Sequence, residues 1–198
     1  MSDIINAAES LTLDKDTSIA QVRSQGGRRS AQKRGPTLYT LEVKLPAQRM
    51  NDTNHLAIED EVMALEYGAK TFNQAGVSGT MPTDSITKPR GTWIGTPIVN
   101  GANQVGNTVV VTNITGTVST GDYVQFNGST KVYQLMSGST TTSLKLNCPL
   151  VASPTDASSV VFGNNVDFNF CLKSRPSTQF LPGNIVEFGT FVFEEVIE

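Results

Sequence analysis

The 198-residue chain has few of the residues on which most enzyme centres depend. It contains two Cys, one His and one Trp, and the motifs of hydrolases, P-loop proteins, zinc proteases and dinucleotide-binding proteins are all absent. Zinc needs about four ligands, and Cys148, Cys171 and His55 fall short of that number. No pair of carboxylates stands out for acid–base chemistry. We therefore expect no enzyme activity, no cofactor and no metal centre.

Signals for membranes and export are also missing. No apolar run approaches the roughly 18 residues that a membrane-spanning helix requires. The first residues, MSDIINAAESLTLDKD, lack the basic and apolar regions of a signal peptide. We expect a protein that is made and used without export and has no membrane partner. Cys148 and Cys171 lie in apolar strand-like stretches, which favours buried free thiols, although the sequence leaves a disulfide between them open.

The chain is rich in turn-forming residues and in short alternating runs. Seventeen Gly and nine Pro separate segments with a two-residue hydrophobic period, which is typical of a mainly β protein. The densest group of these segments predicts an inserted small β-barrel module at 96–155. Within it, Asn127-Gly128 predicts a type I′ hairpin between 123–126 and 131–135.

The flanking segments predict one discontinuous domain, formed by 1–95 and 156–198. Residues 38–45 alternate cleanly, as do 166–172 and much of 185–196, so we expect an antiparallel β-barrel or sandwich. The strand-like run 160–162 belongs to this outer domain in the prediction.

One helix is predicted, at about 54–67. Asp52, Thr53 and Asn54 are all suitable N-caps, and apolar residues recur at helical spacing after them. The single histidine, His55, lies at the helix start, where we expect a capping or surface role rather than catalysis.

Basic residues are concentrated near the N-terminus. Within twelve positions lie Arg23, Arg28, Arg29, Lys33 and Arg34. Two glycines and no apolar periodicity predict a loop or arm. Its positive charge fits either phosphate groups or an acidic surface on a neighbouring subunit. Because no aromatic residue is interleaved to stack on bases, and because the net charge of the chain is −3, we expect no nucleic-acid partner.

The order of these features resembles bacteriophage tail and baseplate structural proteins. The basic arm RSQGG precedes the strand YTLEVKLP, a helix and a Pro-rich loop; an insert with GDYVQFNG and KVY follows, and the chain ends with FLPGNIVEFGTFVFEEVIE. The resemblance implies a non-enzymatic virion component that forms a symmetric ring, three- or six-fold, and contacts tail-tube, hub or wedge subunits. It also implies a location in the virion tail, with assembly in the host cytoplasm.

A candidate subunit interface follows from the charges. The basic arm and the acidic C-terminus, with Glu194, Glu195 and Glu198, suit a head-to-tail contact between copies. The alternative function is a β-barrel binding module for a carbohydrate or host-surface partner, in which Trp93, Tyr123 and Tyr133 stack on sugar faces unless they are core residues. A tail-associated glycan or peptide hydrolase is a third hypothesis.

Overall fold

The computed structural model of the chain describes residues 3–23, 29–66, 72–73, 87–174 and 176–197. Within these ranges the fold is mainly β, as predicted, and every strand pair is antiparallel. The elements are, in chain order, α1 (Asp3–Asn6), β1 (Ser10–Arg23), β2 (Arg29–Lys44), β3 (Gln48–Arg49), α2 (Thr53–Glu66), β4 (Phe72–Asn73), β5 (Ile98–Val99), β6 (Thr108–Thr112), β7 (Tyr123–Phe126), β8 (Val132–Gln134), β9 (Ser143–Lys145), β10 (Val160–Phe162), a 3₁₀ turn (Gly163–Asn165), β11 (Asn169–Ser174), β12 (Thr178–Leu181), β13 (Ile185–Phe188) and β14 (Phe191–Glu195).

The largest sheet has five strands in the order β1-β2-β14-β11-β4. Its inner face carries the alternating apolar residues of β2 and β14, among them Leu41, Val43, Phe191 and Phe193, which are almost fully buried. The helices α1 and α2 contribute Ile4, Ile5, Ile58 and Val62 to the same core. The sheet therefore has a covered face and an outer face, as the period of two in these strands requires.

The first two strands form a long β-hairpin, so the segment predicted as a loop or arm is built largely from two paired strands. Their ladder runs from Ser10↔Lys44 to Arg23↔Arg29, with a register shift after Thr17. Gly35, at φ 77°, lies at this shift, where the left-handed conformation favours glycine. The sequence did not reveal this strand pairing because residues 23–34 have no two-residue hydrophobic period.

The long helix α2 agrees with the predicted position, and Tyr67 lies outside the described residues. Asp52 is its N-cap, since the Asp52 carboxylate accepts a hydrogen bond from the Asn54 N–H at 3.1 Å. The prediction for His55 is wrong: this side chain is buried, its ring lies 5.3 Å from that of Phe188, and Nε2 is 3.3 Å from the Glu59 carboxylate. His55 belongs to the inward stripe of α2, with Ile58 and Val62.

A small sheet completes the outer part of the fold. Its order is β12-β13-β3, and β12 and β13 are joined by the turn at Pro182-Gly183. Phe188 of β13 contacts both His55 of α2 and Phe191 of β14. The small sheet is thereby fixed to the helix and to the large sheet.

The six strands β5–β10, which we call the central module, form two three-stranded sheets, β5-β6-β9 and β10-β7-β8. Their inner faces share one apolar core. Single bridges, Ile98↔Ser159 and Leu135↔Leu146, join the two sheets at both edges. Because the ladders are not continuous there, the described strands form a sandwich, and the predicted barrel closure is not seen.

Two details of the module differ from expectation. The strand β10 pairs with β7, through Val160↔Phe126, so the sheet of the module continues past the predicted limit at 155. The loop after β7 is a hairpin connection, but only Gly128 has positive φ, whereas a type I′ turn needs it at both central residues. The connection is long enough to join the strands without that turn, since Gln125 pairs with Val132.

Candidate subunit-contact site

The basic residues lie on the distal part of the β1–β2 hairpin. Strand β14 pairs with β2 only from Thr40 to Val43, so beyond that point β1 and β2 pair with each other alone. We call residues 17–34 the arm; its ladder is described to Arg23 and from Arg29. An isolated two-stranded hairpin is only marginally stable in water, so an arm of this kind gains from contact with another surface.

The positions of the predicted basic residues concentrate charge in a narrow ribbon. Arg23 and Arg29 occupy directly opposed positions, Lys33 is opposite Ile19, and Arg34 lies at the register shift; Arg28 is outside the described residues. Like charges at directly opposed positions destabilise a strand pair. Binding of an anionic partner would therefore reduce the repulsion between the basic residues of the ribbon.

The acidic residues of the C-terminus do not share one environment. Glu194 is on β14, opposite Thr40, and its carboxylate lies 3.5 Å from the Lys173 ammonium. Glu198 lies outside the described residues. Lys33 lies seven positions before Thr40 on β2, or about 23 Å by the rise of a strand. Lys33 on the arm and Glu194 of the same chain are thus well separated along the sheet.

Glu195 differs from the expectation for a surface contact, because it is only 3% exposed. Its carboxylate is paired with the Lys131 ammonium and accepts hydrogen bonds from the N–H groups of Tyr39 and Val132, each at 3.2 Å. All of these partners belong to the same chain. Glu195 therefore joins β14 to the central module and is not offered to a neighbouring subunit.

The Lys131–Glu195 pair is fully enclosed. Both side chains have no exposed surface, and Lys131 Nζ lies 4.6 Å from the centre of the Tyr39 ring. Burial raises the pKa of Glu195, against the lowering effects of Lys131 and of the two N–H donors. The sequence held a signal for this position: Phe191, Phe193 and Glu195 are two residues apart, so a regular strand places all three on the inner face.

A second polar link joins the module to the large sheet. The side-chain amide of Gln125, on β7, donates to the Asp167 carbonyl at 2.9 Å and accepts from the Asp167 N–H at 2.8 Å. Together with the Lys131–Glu195 pair, this link fixes the module at two separate points. We know of no sequence signal that identifies Gln125 beforehand.

Of the three aromatic residues proposed to stack on sugars, the two tyrosines are core residues and Trp93 is partly buried. Tyr123 and Tyr133 are 8% and 1% exposed. Trp93 packs against Phe162, with ring centres 5.0 Å apart, at the edge of the module core. Fully exposed aromatic rings, which would have favoured a carbohydrate-binding module, are therefore not found at these three positions.

The buried tyrosines predict a cooperative alkaline transition. Burial raises the pKa of Tyr133 to about 12 and raises the pKa values of Tyr39 and Tyr123 above the ordinary value of 10.0. Because the unfolded chain loses these protons at lower pH, their contribution to stability is complete below about pH 10 and decreases above it. Spectroscopic titration of Tyr67→Phe, which retains only these three tyrosines, should show ionisation together with loss of β-sheet circular dichroism. Ionisation near pH 10 with an intact sheet would contradict the burial.

In the ranges that the structure describes, no three His, Cys, Asp or Glu side chains are grouped to hold a metal ion. Among the same residues, no helix has both the length and the apolar character that a membrane crossing requires.

Comparison with known proteins adds no family assignment, since no protein-family model and no curated protein matches the chain.

Proposed function

We propose that this chain is a structural subunit of a bacteriophage tail or baseplate that assembles into a symmetric ring. The observation that carries the proposal is the arm, which extends beyond the five-stranded sheet and concentrates five basic residues without an acidic one. The resemblance in the order of arm, strand, helix, insert and closing strand supplies the biological setting. Tail-tube, hub or wedge proteins are the other partners in this proposal.

Edge strands in the part of the chain that the structure describes support an assembly role. The strand β1 lies at one edge of the large sheet, and β12 lies at one edge of the small sheet. Phe180 and Leu181 of β12 are 66% and 38% exposed. Unpaired edges with exposed apolar residues are suited to strand addition between subunits and are a hazard in a monomer.

The arm can be tested by charge reversal at Arg23 and Arg29. We expect the wild-type chain to form a ring-sized oligomer, measured by light scattering across a range of concentrations and viewed by electron microscopy. Arg23→Glu/Arg29→Glu should reduce the mass to that of a monomer, because the charge of the arm falls from +5 to +1 and most of its attraction to an acidic partner surface is lost. The substitution replaces one like-charged opposed pair with another, so the hairpin itself is little altered.

Arg49→Glu/Lys88→Glu is the matched control, since both residues are exposed and the change in net charge is the same. The control should assemble like the wild type. Normal assembly of the arm variant would exclude the arm as the joint. A wild-type chain that stays monomeric at every concentration would overturn the proposed function.

A further inference from the structure

The outer face of the five-stranded sheet is acidic. Alternation in β1, β2 and β14 places Asp14, Asp16, Glu42 and Glu194 on this face, away from the core. Asp14 is opposite Thr40, which is also opposite Glu194, while Glu42 lies in the next outward-facing row. Asp14, Asp16 and Glu42 are exposed. Four carboxylates thus lie on three adjacent strands, and we call them the acidic face.

Charge is unevenly distributed along the chain. The net charge is −3, and residues 17–34 hold five basic residues and no acidic one, so the remaining residues carry a net charge of −8. On the acidic face, Lys173 pairs with Glu194, and Lys44 lies 3.8 Å from Glu9 at the end of the hairpin. The face keeps an excess of negative charge after these contacts.

We propose that the acidic face is the docking surface for the arm of a second copy of this chain. This inference rests on the proposed ring assembly and names the surface that receives the arm. The acceptor is then a surface of three strands rather than the C-terminal acids alone, because Glu195 is internal and Glu194 is only one of the four carboxylates on the face.

The dimensions of the two surfaces agree. From Ile19↔Lys33 to Arg23↔Arg29 the described arm spans four residue steps, about 13 Å. The rows from Asp16 to Thr12 on the acidic face also span four steps, about 13 Å. Arm and face lie on different parts of the same hairpin, so one copy cannot bring them together without folding the hairpin back. A head-to-tail contact between copies follows from this arrangement.

A charge swap tests the pairing in the full chain. Alone, Arg23→Glu/Arg29→Glu lowers the charge of the arm from +5 to +1, and Asp14→Lys/Glu42→Lys changes the charge of the four-carboxylate face from −4 to 0. Each variant should assemble at least about tenfold more weakly than the wild type, as seen in light scattering. An equimolar mixture should assemble again, because the unaltered basic arm of one variant then meets the unaltered acidic face of the other. Loss of folding in either variant could not produce this recovery.

Asp60→Lys/Glu187→Lys is the control for the face, since both residues are exposed on other elements. It should assemble like the wild type and should not rescue the arm variant. If the arm variant fails to assemble while Asp14→Lys/Glu42→Lys assembles normally, the acidic face is excluded but ring assembly through the arm stands. A mixture that stays monomeric would also overturn the pairing. A monomeric wild type would overturn the proposed function itself.

Discussion

Lys131→Met is expected to reduce the free energy of unfolding by about 3–5 kcal/mol, because it leaves the Glu195 carboxylate buried without its counter-charge. Neither side chain of the pair is exposed, so water cannot replace the lost ammonium. Methionine fills nearly the same volume, so the loss reports the charge rather than a cavity. Urea denaturation of the chain, followed by circular dichroism and by Trp93 fluorescence, measures the effect.

The size of this loss should depend on pH in a defined direction. In Lys131→Met, only burial and the two N–H donors act on Glu195, so its pKa lies further above the ordinary value of 4.5 than in the wild type. A carboxyl group with a raised folded-state pKa favours folding below its unfolded pKa and loses that contribution as pH rises through the folded value. The variant should therefore come closest to the wild type in mildly acidic solution.

Two comparisons make the result interpretable. Lys131→Met/Glu195→Gln removes both charges and should recover much of the loss, although one of the Tyr39 and Val132 N–H groups then lacks an acceptor. Lys173→Met, which removes the partner of the partly exposed Glu194, should cost less than about 1 kcal/mol. If Lys131→Met cost no more than Lys173→Met, the buried pair would not hold the module to the sheet as described.

Local patterns in the sequence determine much of the fold. The alternation in 38–45 predicts the inner-face residues of β2, and Asp52 with the following apolar stripe predicts α2 closely. The alternation across Asn127-Gly128 correctly indicates that β7 and β8 are neighbours. These features are set by contacts between residues close in the chain, so periodicity and turn chemistry suffice to find them.

Features that depend on distant partners could not be read in the same way. The arm sequence has no two-residue hydrophobic alternation, and its Gly and Arg residues therefore suggested a loop or arm. The burial of Glu195 depends on Lys131, which lies 64 positions earlier in the chain. For the candidate site, the sequence identifies the basic arm, whereas the acidic face emerges only when the register of β1, β2 and β14 is known.

The role of Asp122 also depends on distant partners and could not be read from the sequence. Its substitution is expected to lower the stability of the protein strongly. In the sequence, Gly121-Asp122 suggests only a turn before β7. In the structure Asp122 is 1% exposed, and its carboxylate accepts hydrogen bonds from the N–H groups of Arg90, Gly91 and Ser119 at 2.7, 3.2 and 3.0 Å. The side chain thus fastens the segment that leads into the central module to the turn that precedes β7.

Asp122→Ala should lower the free energy of unfolding by about 3–5 kcal/mol, since three N–H groups lose their acceptor and unsatisfied donors cost about 1–3 kcal/mol each when buried. Trp93 follows Gly91 by two residues, so its fluorescence in a urea titration reports this region directly. Asp156→Ala is the matched control: this exposed aspartate accepts one bond, from the Gly101 N–H at 2.7 Å, and its loss should cost less than about 1.5 kcal/mol. Equal losses of stability in the two variants would mean that solvent satisfies the N–H donors around Asp122. The module would then be held by its apolar core and the Lys131–Glu195 pair, without the hydrogen bonds to Asp122.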